Sequence, residues 1–183
     1  MSGLPTTLLL GIALLGIFAE SVLDFPRIWL GAQIDVLPPL IVCAAFGDSL
    51  PRLALLATFG GLASDSLSGN PLGASVLPLY GVGLVLFQWR DLILRQIPYA
   101  QFVLGGFASV AVFSLTLVVL LTVGARPLLG WATVWQAVVV GLAGAAFTPV
   151  CFALIQILYG ALAYKSVPVS PYTPDREIKR GRH

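Results

Sequence analysis

Hydrophobic residues in this chain come in long unbroken runs, each ended by a short cluster of proline, glycine and charged residues. No run alternates with period two, and the runs exceed the ~10-residue strands of a membrane barrel, so the predicted elements are helices. Helix one covers Thr6 to Leu23, which at about 1.5 Å per residue spans about 27 Å. It has neither the basic start nor the small-residue cleavage site of a signal peptide, so it reads as a retained helix. Phe25 to Gln33 is a loop with Pro26, Arg27 and an interfacial Trp29. Helix two opens at Asp35 as N-cap, carries Pro38 and Pro39 in its first turn, and reaches only Gly47. At about 18 Å it is locally thinned, buried among other helices, or broken.

Asp48-Ser-Leu-Pro51 repeats the cap-plus-proline pattern and starts helix three, which runs to about Leu67. Helix four is expected from Leu72 to Trp89, helix five from Gln101 to Val123 and helix six from Val134 to Tyr164. Helix six exceeds a bilayer, so tilting, a kink near Pro149 or partial emergence is expected. Lys165 to His183 is rich in proline and charge and lacks periodicity, so a disordered tail is expected after a helical domain over residues 1–164. Between helices three and four lies a polar turn in otherwise apolar sequence, Phe59 to Gly73, in which Asp65 is bracketed by Ser64, Ser66 and Ser68.

Composition changes what that turn means. Of 183 residues 58% are hydrophobic and 10% charged, against about 25% charged in a soluble domain. Mean hydropathy is +0.95. The polar surface of a water-soluble fold is not available, and the expected class is an all-α integral membrane protein with six transmembrane helices. With six spans the termini share a side, and that side holds Arg52, Arg90, Arg95, Lys165, Arg176, Lys179, Arg180 and Arg182. The other holds Arg27 and Arg126. The positive-inside rule then puts both termini in the cytoplasm and turns Asp65 outward, toward the periplasm or cell exterior. The basic tail either rests on anionic lipid heads or is simply solvated.

Candidate chemistry is sparse. The single histidine is His183, at the end of the sequence, so no Ser-His or Cys-His pair is available, and Cys43 and Cys151 lie inside apolar runs. No phosphate-binding glycine motif occurs in the right context. Glu20, Asp24, Asp35 and Asp65 all fall on the outward side without a nucleophile or metal partner, so no catalysis, metal or cofactor is expected. Glu20 and Asp24 lie four apart on one helix face, and Glu20 reads either as emergence into headgroups or as a packing contact. Gly61, Asp65, Gly69 and Gly73 recur every four residues, and Gly105-Gly106 and Gly141-x-x-Gly144 allow close backbone approach. Such positions serve helix association in lipid, either inside this bundle or with partner helices.

The segment Asp35 to Tyr80 resembles the bacterial rod shape-determining protein family MreD. The family's G-L-x-x-D-x-x-S-G-x-P-L-G stretch reads here Gly61-Leu62-Ala63-Ser64-Asp65-Ser66-Leu67-Ser68-Gly69-Asn70-Pro71-Leu72-Gly73, with Tyr80 downstream. Glu20-Ser21 followed by Pro26 matches the polar pair with which family members end helix one. The resemblance implies a non-catalytic scaffold of the cell-elongation machinery that supports peptidoglycan synthesis and rod shape. Its implied partners are MreC, the RodA glycosyltransferase with its class B penicillin-binding protein, the MreB filament and the lipid bilayer, with no nucleic acid. It implies a bundle similar to the S components of energy-coupling-factor transporters. Asp65, Ser68, Gly69, Pro71, Gly73 and Tyr80 are then the structural turn or partner contact, and Glu20, Asp35 and Gly61 the helix-packing or helix-start positions.

The alternative is an S-component-like subunit that binds a small solute for uptake. It would want an outward pocket where Asp65, Glu20, Asp24 and Trp29 cluster, and an Ala-x-x-x-Ala stripe in helix one. Helix one instead has Ile17 four after Ala13 and Leu23 four after Ala19.

Overall fold

The computed structural model describes residues 6–22, 31–47, 49–90, 98–124 and 130–163. Among them are six helices and no strand: α1 (Thr6–Val22), α2 (Leu37–Ala45), α3 (Leu50–Ser68), α4 (Val76–Trp89), α5 (Pro98–Thr122) and α6 (Trp131–Ala163). Asp24, Pro26, Arg27, Trp29, Asp48, Arg95, Arg126 and the tail lie outside the described residues.

The bundle is built around its shortest helix. All nine residues of α2 are buried, and α1, α3, α4, α5 and α6 each pack against it. At about 14 Å it cannot cross a bilayer core of about 30 Å, and of the three readings open to it the structure shows burial among neighbours. Leu37, Ile41 and Phe46 meet Leu53 and Leu56 of α3, Leu79 of α4 and Phe152 of α6 in one apolar core. The Phe46 and Phe152 rings lie 5.9 Å apart and tilted, a favourable aromatic arrangement. Cys43 and Cys151 are both free and buried, on α2 and α6. At the far end of α2, Arg90 donates from Nη1 to the Gly47 carbonyl at 2.9 Å, and its guanidinium lies 4.4 Å from the Phe87 ring centroid. A cation thus covers a helix C-terminus.

Five helix starts differ from expectation; α5 and α6 begin at Pro98 and Trp131, three residues before Gln101 and Val134. The N-cap of α2 is Val36, not Asp35, and it makes no side-chain cap. Asp35, one residue further out, still accepts the Leu37 N–H on Oδ1 at 2.9 Å. The two prolines take up the first turn, where a missing donor costs least. Ser49 in extended conformation precedes α3. Helix α4 begins at Val76 rather than Leu72, because the backbone N–H groups of Gly73 and Ser75 are drawn to the Asp65 carboxylate and Gly73 has φ +93°. Residues 72–75 therefore form a turn, with Leu72 exposed.

The longest pair, α5 and α6, packs antiparallel through small residues. A Cβ at Gly105 would collide with Thr148 Oγ1 and lie 2.5 Å from the Gly144 carbonyl; one at Gly144 would collide with Ser109 Oγ. The two glycine pairs singled out by spacing thus serve internal packing. Thr148 Oγ1 donates back to the Gly144 carbonyl at 2.7 Å, so no polar atom of that residue is lost at the seam. Among the described residues α5 and α6 are long and apolar enough to cross a membrane, over Tyr99–Thr122 and Trp131–Leu158, each with hydropathy 2.3.

Candidate functional site

Asp65 lies in the last turn of α3 with no exposed surface. Its Oδ2 accepts the Gly73 N–H at 2.8 Å, and both oxygens share the Ser75 N–H, at 3.3 and 3.2 Å. Its main-chain carbonyl accepts the Asn70 N–H at 3.2 Å. One residue therefore closes the C-terminus of α3 and holds the turn that leads into α4. Gly69 adopts φ +70°, the left-handed cap, and Pro71 accepts the Ala74 N–H at 3.1 Å. The negative carboxylate is also favourable beside the first turn of α4. Gly61 allows the crossing of α3 and α4, since a Cβ there would lie 2.8 Å from Val76 Cγ2. Tyr80, half-buried on α4, packs against the core.

A second polar knot lies at the same end of the bundle. Glu20, late in α1, accepts the Gln33 amide on Oε1 at 3.1 Å and the Val36 N–H on Oε2 at 3.4 Å. Glu20 thus ties the end of α1 to the segment before α2. Gln136 of α6 clasps Gln33 from both sides: its Oε1 accepts the Gln33 N–H at 3.1 Å, and its Nε2 donates to the Gln33 carbonyl at 2.7 Å. This pairing ties the segment before α2 to the start of α6.

Between the two knots is a cavity of about 220 Å³. Glu20, Asp35, Gln33, Gln136, Ser68 and Ser109 contribute its polar side, and Val112, Phe113, Leu117, Leu120 and Val140 its apolar wall. Lost hydration pushes the Asp35 carboxyl up to about 6, with a smaller push from the charge of Asp65, against the pull of the Leu37 N–H. Among the described residues no cluster of histidine, cysteine and carboxylate side chains could hold a metal ion. Two further grooves, one between α5 and α6 (about 420 Å³) and one between α1 and α3 (about 320 Å³), are lined almost wholly by apolar side chains.

Of the residues singled out from sequence, Glu20, Asp35 and Ser68 meet at the cavity, and Asp65, Gly61, Gly69, Pro71 and Gly73 build the turn that forms one of its edges. Asp24 and Trp29, which the solute-binding alternative would cluster with Glu20 and Asp65, lie outside the described residues. Sequence reasoning missed Gln33, Gln136 and Ser109. Their one signal is a polar residue at the edge of, or inside, an apolar run. No family model, curated protein or solved structure matches the chain.

Proposed function

We propose that this chain is a six-span membrane scaffold of the MreD type, which binds the membrane helix of MreC and holds a peptidoglycan synthase complex in register. The observation that carries the reading is the Asp65 turn. The residues that make the family resemblance specific act together as one device: carboxylate, left-handed glycine, proline and second glycine each supply a separate part of the same hairpin. A sequence stretch with that much internal dependence is what a turn kept for its architecture requires.

The membrane part of the proposal is supported by the outer surface. Large apolar side chains stand exposed along α1 (Leu15, Phe18), α5 (Phe107, Val118) and α6 (Leu142, Ile157), a surface suited to acyl chains rather than water. The described charged residues, Glu20, Asp35, Arg52, Asp65 and Arg90, lie in or beside helix ends. In this reading both termini are cytoplasmic, and the cavity and the Asp65 turn open to the outer side. RodA with its class B penicillin-binding protein and the MreB filament are further neighbours. Depletion in the native rod-shaped cell tests the role. Loss of the chain should round the cells, and plasmid-borne wild type should restore rods; cells that stay rod-shaped on full depletion refute it.

A further inference from the structure

We propose that the α5–α6 pair is a gate that swings at the cavity end of the bundle and is held shut by the Gln33–Gln136 clasp. The packing divides the helices into two groups. Helix α1 packs on α3 and α3 on α4, while α5 packs most extensively on α6. The groups meet through α2, which touches both, and through α4 against α5. The cavity lies between them. Glu20, Ser68 and Asn70 belong to one wall, and Phe113, Leu117 and Val140 to the other.

The two ends of this boundary are closed differently. Away from the cavity, Phe152 of α6 meets Phe46 with ring centroids 5.9 Å apart, and Cys151 and Ile155 are buried in the same apolar core. At the cavity end a single carboxamide, that of Gln136, accepts the Gln33 N–H at 3.1 Å and donates to the Gln33 carbonyl at 2.7 Å. Both bonds are exposed, so water can replace them at little cost, whereas parting the apolar core would wet its side chains. Between clasp and core lies Pro149, inside α6. It lacks the N–H that would bond to the preceding turn, so the helix bends most readily there. The pair moves as one piece, because a Cβ at Gly105 or at Gly144 would collide with the opposite helix. Gln136 stands about 20 Å along α6 from Pro149, so a swing of about 15° there carries it about 5 Å, at about 1.5 Å per residue. That releases the clasp and widens the cavity. The segment before α2 stays behind, since Glu20 still holds the Gln33 amide and the Val36 N–H. The gate does not depend on the scaffold role.

The test is pulsed electron paramagnetic resonance of the full chain in detergent micelles, with Cys43→Ala and Cys151→Ala so that only introduced thiols carry spin labels. Labels at Val22→Cys and Val134→Cys, both exposed positions, span the cavity end. Labels at Trp89→Cys and Ile157→Cys, also exposed, span the other end. With Gln136 in place, one short distance should dominate across the cavity. Gln136→Leu should raise the population of a distance about 5 Å longer roughly tenfold, the scale of one or two hydrogen bonds, with the second label pair unmoved. Gln136→Asn, too short to reach both groups of Gln33, should do so to a lesser degree and keeps the test open if the leucine variant fails to fold. Gln33→Ala leaves the main-chain groups of the clasp in place and should stay closed. Pro149→Ala restores the missing helix bond and should lower the longer population of the Gln136→Leu chain. A cavity distance unchanged in both Gln136 variants overturns the gate. Lengthening at both ends together overturns it too, since that is general loosening and not a swing. Opening by Gln33→Ala as large as by Gln136→Leu overturns the clasp as its latch.

Discussion

Removing the Asp65 carboxylate leaves two backbone donors, at Gly73 and Ser75, without their acceptor in a region where Asp65 itself has no exposed surface. Unmet buried donors cost about 1–3 kcal/mol each. Asp65→Ala should therefore lower the melting temperature of the detergent-solubilised protein clearly. Asp65→Asn, which keeps one acceptor oxygen, should fall between it and wild type. Equal melting of all three would show that the turn does not depend on the carboxylate. Asp35 makes a pH prediction of opposite character. Its folded value of about 6 stands above the ordinary aspartate value of about 3.9, so the folded state binds the proton more tightly than the unfolded one. The stability it contributes is full below about 4 and is lost as pH rises through about 6. Melting temperature should fall between pH 5 and 7, and Asp35→Asn should flatten that slope; an unchanged slope contradicts the assignment.

Helix packing offers a sharper contrast. Any side chain at Gly144 meets Ser109, and any at Gly105 meets Thr148 and the facing backbone. Gly144→Val should thus cost about 1–3 kcal/mol through overpacking, whereas Gly81→Ala, where a Cβ meets nothing within 4 Å, should be tolerated. Circular-dichroism melts of the two variants separate them, and similar losses would refute the α5–α6 seam as described. These glycines were legible in sequence because their pairing at short spacing in apolar runs has few other uses. The start of α4 was not: Leu72 continues the apolar pattern, and only the long-range pull of Asp65 on Gly73 and Ser75 takes residues 72–75 out of the helix. The role of α2 was half legible. Its short length was plain, but burial on every side depends on five other helices.

The cavity shows the same limit most clearly. Its walls come from α1, the segment before α2, the α3–α4 turn, α5 and α6, and no single stretch of sequence contains the pattern. Gln33 and Gln136 are 103 positions apart, so their pairing leaves no local trace. What sequence did reveal was the chemistry that would gather there, Glu20 and Asp35 among apolar runs. For the whole molecule, alternation of helix direction brings Glu20, Asp35, Asp65 and Gln136 to one end and Gly47 and Arg90 to the other. In the six-span reading the second end is cytoplasmic. A reporter active only in the cytoplasm should work when fused after His183, and one active only outside should work in the α3–α4 turn; the reverse pattern would invert the topology. The scaffold role itself is tested most directly by affinity purification of the tagged full chain from membranes that also produce the MreC-type protein of the same cell. The account predicts stoichiometric co-elution in mild detergent, weakened by Asp65→Ala in proportion to its loss of folding. A well-folded tagged chain that leaves the MreC-type protein in the flow-through contradicts it.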